Sequence, residues 1–160
     1  MATTGKAGWR DRALRRVFHT YWRFQRAMTL GVRGLMLSPE RQVFLILHAY
    51  VPGWQLPGGG VETGETLFEA LTRELKEEGN IEMTAAPRLH GVFHNRAISP
   101  RDHVAVFVVE QYLQPALPLR NHEIAACGWF ALDALPEATT PGTRRRLAEV
   151  FNGAPTAALW

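Results

Sequence analysis

Cysteine is nearly absent: Cys127 is the only one in 160 residues, so no disulfide can close within the chain and a reducing compartment is expected. That thiol sits in an apolar stretch before Trp129 and reads as core filling, not as a nucleophile. Long hydrophobic runs are also missing. None approaches the roughly 20 residues that span a bilayer, and residues 1 to 25 lack the apolar central block of a secretory signal. The cytoplasm is the expected location. No internal repeat and no second domain boundary stand out. What remains is ordinary for a globular protein, with 46% hydrophobic and 21% charged residues. A chain of this length can bury about 70% of its unfolded surface in one core.

Acidic residues are scarce at the start. Residues 1 to 30 hold Lys6 and six arginines against Asp11, so the formal net charge of +3 combines a basic leader with a mildly acidic body. Leu14, Val17, Phe18, Tyr21 and Met28 follow helical spacing, and Arg12, Arg15, Arg16, Arg23 and Arg26 fill much of the rest. Residues 1–28 therefore read as a basic amphipathic helix. It is expected to pack on the domain or on a partner subunit, as in a homodimer. A nucleic-acid or membrane-surface contact through residues 10–26 is the less favoured reading.

Residues 29–151 alternate strand and helix patterns. Thr29 to Leu37 and Gln42 to His48 read as strands about a turn at Ser38-Pro39-Glu40, and Trp54-Gln55-Leu56 as a short strand. Arg88 to Phe93 and His103 to Val109 read as a pair joined by a polar loop. Ala126 to Phe130 reads as a last strand and Thr143 to Phe151 as a closing helix, with Arg144, Arg145 and Arg146 on its exposed side. Residues 152–160 read as a loosely ordered tail. His48, His90 and His103 fall on apolar strands without metal-ligand spacing and read as structural.

The most informative stretch runs from residue 59 to 81. Thr66 followed by Glu69 makes a capping box, and Leu67, Leu71 and Leu75 mark a buried stripe, with Phe68 beside it. Glu74, Glu77 and Glu78 stand at i, i+3 and i+4, so one helix face carries three carboxylates roughly a quarter turn from that stripe. Repulsion, partial burial and the helix dipole all act against them there. A divalent cation among hard oxygen ligands offsets these costs. With the turn Pro57-Gly58-Gly59-Gly60 just upstream, the arrangement points to chemistry on a phosphate.

These residues resemble the signature of the Nudix hydrolases. Gly59, Glu65, Arg73-Glu74, Leu75, Glu77-Glu78 and Ile81 stand at the required spacings, a coincidence expected by chance on the order of once in ten million starting positions. The departure is Asn80, where the family has its second glycine. Asn is the next best residue for the left-handed conformation that ends many helices, and Gly79 beside it can also take that role.

The resemblance implies an α/β (α+β) Nudix fold, a mixed sheet sandwiched between helices, with the basic N-terminal helix outside it. It implies a hydrolase of nucleoside diphosphate linkages or nucleoside triphosphates, working with Mg²⁺ or Mn²⁺. Gly59, through its carbonyl, and Glu74, Glu77 and Glu78 are the implied metal ligands, and Glu65 pairs with Arg73. Glu123, six residues before Trp129-Phe130, matches the placement of a fourth acidic ligand or base. Tyr50, Asn95, Arg96 and Arg101 are the candidate contacts to a nucleotide substrate. A non-catalytic nucleotide sensor and an enzyme acting on RNA 5′ ends are the alternatives.

Overall fold

The computed structural model describes residues 27–160 together with Arg15, Phe18 and Tyr21. Those three are helical and exposed. The remaining leader residues, on which the expected amphipathic helix rests, lie outside the described residues.

Within residues 27–160, eight strands and two helices follow in the order β1 (Thr29–Met36), β2 (Gln42–His48), β3 (Trp54–Gln55), α1 (Leu67–Gly79), β4 (Glu82–Met83), β5 (Arg88–His94), β6 (Asp102–Val109), β7 (Tyr112–Leu113), β8 (Ile124–Ala131) and α2 (Pro141–Phe151). They form a mixed α+β fold. One three-stranded sheet runs β1-β6-β5 and another β3-β2-β8, while β4 and β7 pair alone. β1 lies parallel to β6, from Thr29 against Asp102 to Met36 against Val109. The runs of Val, Leu, Phe and Ile that make β2 and β6 are buried along nearly their whole length, which suits strands covered on both faces. The β4–β7 pair is too short to leave a period-2 signal in the sequence.

Helix α1 forms as its sequence dictates. Thr66 accepts from the Glu69 N–H and the Glu69 carboxylate reaches back to the Thr66 N–H, completing the capping box. Asn80, at φ 50° and ψ 38°, takes the left-handed cap position, and its N–H closes on the Leu75 and Lys76 carbonyls. Its side chain also donates to the Ala116 carbonyl at 3.1 Å. Gly79 stays inside the helix because there is no room for more: a Cβ there would meet Ile81 at 2.8 Å and Phe44 at 3.1 Å. Leu71 and Leu75 enter a core with Val32, Phe44, Ile46 and Ala105, whereas Phe68 is exposed.

Two expectations fail at the C-terminal end. Arg146 is not on the exposed side of α2; it is fully buried, 3.6 Å over the Phe93 ring and bonded to Glu149 at 2.6 Å. Glu149 also meets His90 at 2.8 Å, so the buried cation is matched by a buried carboxylate. Arg144 and Arg145 are exposed as read. The tail is not loose either. The His94 N–H donates to the Ala158 carbonyl and the Trp160 N–H to the His94 carbonyl, so the segment pairs with the end of β5. Trp160 packs against the core cluster that holds Leu45, Leu56 and Phe93.

Candidate active site

The glycine turn is anchored on β1. The Val32 N–H donates to the Gly59 carbonyl, the Gly34 N–H to the Pro57 carbonyl and the Val61 N–H to the Leu30 carbonyl. Gly58 has φ +137°, and a Cβ there would fall 2.1 Å from the Val32 carbonyl oxygen. Only glycine fits such an approach. From below, the Arg33 guanidinium donates through one nitrogen to the carbonyls of Leu56 and Gly58.

Helix α1 brings its carboxylates to this turn. Glu78, in phase with Leu71 and Leu75, is only 7% exposed. The Gly58 N–H donates to it at 2.6 Å and His48 Nε2 stands 3.4 Å from its other oxygen. Burial pushes its pKa up to about 7, against the opposing pull of the Gly58 N–H and Arg33. Burial, with Arg33 close by, lowers the pKa of His48 and keeps the imidazole neutral. Glu74 lies against Gly59 so closely that a Cβ there would come within 2.4 Å of its oxygen. Glu77 is on the open side, with 60% of its side chain exposed.

Arg73 ties these parts together. It holds Glu65 through two nitrogens at 2.8 and 2.9 Å, donates to Glu74 at 2.7 Å and reaches the Gly60 carbonyl at 3.1 Å. The two-pronged bond depresses the Glu65 pKa to about 2 and raises that of Arg73. Glu123 arrives from the other sheet. A bulge between Leu47 and His48 shifts the β2–β8 register, and the Ala49 N–H donates to the Glu123 carbonyl at 2.8 Å. Asn121 caps the Glu123 and Ile124 N–H groups, leaving the Glu123 carboxylate largely exposed.

Glu74, Glu77, Glu78 and Glu123 border one cavity of about 890 Å³, with Gly59 and Arg73 on its wall. Tyr50 and Asn95 border it too. Arg96 and Arg101 are not among its lining residues, and Ala97 and Ile98 of the same loop take that place. As placed, no group of three His, Cys, Asp or Glu among the described residues converges as an ion cage; Glu74 turns to Arg73 and Glu78 to Gly58 and His48. The donor set still suits a hard cation, since four carboxylates and a backbone carbonyl offer only oxygen. The contact between Glu74 and bare Gly59 is a cradle that any side chain at that position would fill.

Sequence reading missed Arg33, His48, Arg145 and Trp160, which all line the cavity. His48 carries no spacing signal, because its neighbours in the site come from other elements. Arg33 looks like one polar residue in an apolar strand, and only the fold sets it beneath the glycine turn.

A family model described as "NUDIX domain" matches residues 28–151. A putative 8-oxo-dGTP diphosphatase of Bacillus subtilis (strain 168) is 28% identical over 126 residues, covering 79% of this chain and 82% of that protein. An ADP-ribose pyrophosphatase of Methanocaldococcus jannaschii is 44% identical over 86 residues, covering 51% of this chain and half of the relative. Among solved structures, a MutT NUDIX hydrolase from Burkholderia pseudomallei superposes with a TM-score of 0.66 at 28% identity, over 78% of this chain and 98% of that one.

Proposed function

The chain belongs to the Nudix family of hydrolases that cleave phosphoric anhydrides, and we propose that its substrate is a nucleoside diphosphate linked to another moiety, or a nucleoside triphosphate. The observation that carries this reading is the single cavity bordered by Glu74, Glu77, Glu78 and Glu123 together with Arg33 and Arg73. Its volume suits a nucleotide. The Bacillus and archaeal relatives are named for 8-oxo-dGTP and ADP-ribose, both nucleotides with an anhydride.

The residues present suit Mg²⁺ or Mn²⁺, held by Glu74, Glu77, Glu78 and the Gly59 carbonyl. Such a cation supplies neutralisation of the diphosphate charge and a lower pKa for water. The rest belongs to the chain's own groups. Arg73 joins Glu65, Glu74 and the Gly60 carbonyl, so the helix and the turn keep one geometry. Arg33 fixes the turn from β1, and His48 confines Glu78. Glu123, on a loop tied down by Asn121 and Ala49, is free to accept the proton of the attacking water. Tyr50 and Asn95 contact the substrate from the cavity wall. Among the described residues no helix is long and apolar enough to cross a membrane. With one free cysteine, the reading places the enzyme in the cytoplasm.

The test is a turnover screen with Mg²⁺ and with Mn²⁺ against nucleoside triphosphates, nucleotide sugars, dinucleotides and 5′-phosphorylated RNA. Glu77→Gln and Glu123→Gln serve as controls. Loss of about 10²–10⁴-fold in kcat for Glu123→Gln is expected of the base. Equal turnover by wild type and both variants refutes the assignment.

A further inference from the structure

Several contacts fix residues 157–160 against β5 and α2. Its backbone pairs with β5 at His94. The Ala157 N–H donates to Glu149 at 2.9 Å, and Arg146 donates to the Leu159 carbonyl at 3.2 Å. Trp160 meets the Phe93 ring at 60° with centroids 6.4 Å apart, and the Arg146 guanidinium lies 5.6 Å from the Trp160 ring centroid. At Gly142 a Cβ would stand 2.5 Å from Trp160 Nε1, so the first turn of α2 is kept bare to admit the indole. Arg145 donates to the backbone oxygen of Trp160. All this bracing ends at the cavity, which Trp160, Gly142 and Arg145 border beside the carboxylates of α1.

We propose that Trp160 and Arg145 form the base-recognition subsite of this cavity: the indole stacks on the substrate's nucleobase and Arg145 meets acceptor atoms beside it. The inference rests on the diphosphatase reading and says what holds the end of the substrate that the carboxylates do not. A half-buried aromatic fixed by a strand pairing, a ring contact and a glycine is pre-organised, so little ordering cost falls on binding. Stacking tolerates any base, because each offers a flat face. The Arg145 guanidinium, a fork of N–H donors, gives the subsite a preference for electron-rich edges.

Binding, without turnover, tests this. With Mg²⁺ present, the full chain is titrated calorimetrically with α,β-methylene nucleoside diphosphates carrying each of the four bases, and with base-free methylenediphosphonate. Trp160→Ala is expected to weaken the best nucleotide at least tenfold and to leave methylenediphosphonate within twofold. Trp160→Phe retains most of the nucleotide affinity, and Arg145→Gln loses about threefold. Trp160→Leu, which keeps apolar packing against Phe93, behaves as Trp160→Ala and covers the case in which alanine unfolds the segment. Equal weakening of both ligands, no weakening of either, or failure of every nucleotide to bind wild type overturns the proposal. Nucleotide binding that depends on Trp160 in a protein that hydrolyses nothing leaves the subsite standing and removes the diphosphatase reading. Turnover that ignores Trp160 does the reverse.

Discussion

Glu78→Gln should stabilise the metal-free protein while removing its activity. The folded state holds the Glu78 proton up to a pKa of about 7, whereas the unfolded chain releases it near 4.5. A folded-state pKa raised above the unfolded value means that the native state binds more protons between those limits. Stability must therefore fall as pH rises from about 4.5 to about 7. The gap of roughly 2.5 pH units corresponds to about 3 kcal/mol, at 1.36 kcal/mol per unit. Glutamine keeps the shape and the acceptor for the Gly58 N–H without the charge. At pH 8 in EDTA the variant should then exceed wild type by up to about 3 kcal/mol, a rise in Tm of about 10 °C for a chain of this size. At pH 4.5 the two should melt together. Urea titrations across pH 4 to 8 measure this directly. Saturating Mg²⁺ should flatten the wild-type slope, since the cation favours the ionised Glu78 carboxylate. Parallel pH profiles of the two proteins, or a variant less stable at pH 8, refute the reasoning.

Arg73→Ala breaks the bonds to Glu65, Glu74 and the Gly60 carbonyl; it should lower kcat at least tenfold and cost about 1–3 kcal/mol in urea unfolding. Arg146→Ala leaves Glu149 buried without its cation and should cost about 3–5 kcal/mol, a loss that Arg146→Met with Glu149→Leu recovers in part. Gly58→Ala puts a methyl group into the Val32 carbonyl, so it should fail to accumulate as folded protein in an expression and solubility assay. Asn80→Gly relieves the left-handed backbone but loses the bond to Ala116, and its melting temperature should stay within about 3 °C of wild type.

Local signals carried well from sequence to structure. The capping box at Thr66, the Leu71–Leu75 stripe and the strands β1, β2, β5 and β6 depend on neighbours in sequence, and the spacing of the acidic positions declares them without a fold. What escaped depends on distant partners. Arg144, Arg145 and Arg146 look alike in a run, but α2 turns the third inward, where Phe93 and Glu149 receive it. The tail lacks periodicity because its ordering comes from contacts with His94, Gly142 and Glu149 and not from a repeat of its own. His48 reads as a core histidine until the β2–β8 bulge and the buried turn of α1 bring it to Glu78.

The parallel ladder between β1 and β6 has a further consequence for biosynthesis. The whole glycine turn, α1 and β5 lie inside the loop that this pairing closes, and Glu123 arrives only with β8, which zips onto β2 from further downstream. Contacts of such long sequence separation form late. A ribosome-bound nascent chain can thus present its amphipathic helix early, yet stays inert until residues past 131 have left the exit tunnel. Translation stalled upstream of that point would yield a fragment that carries the whole acidic signature and hydrolyses nothing.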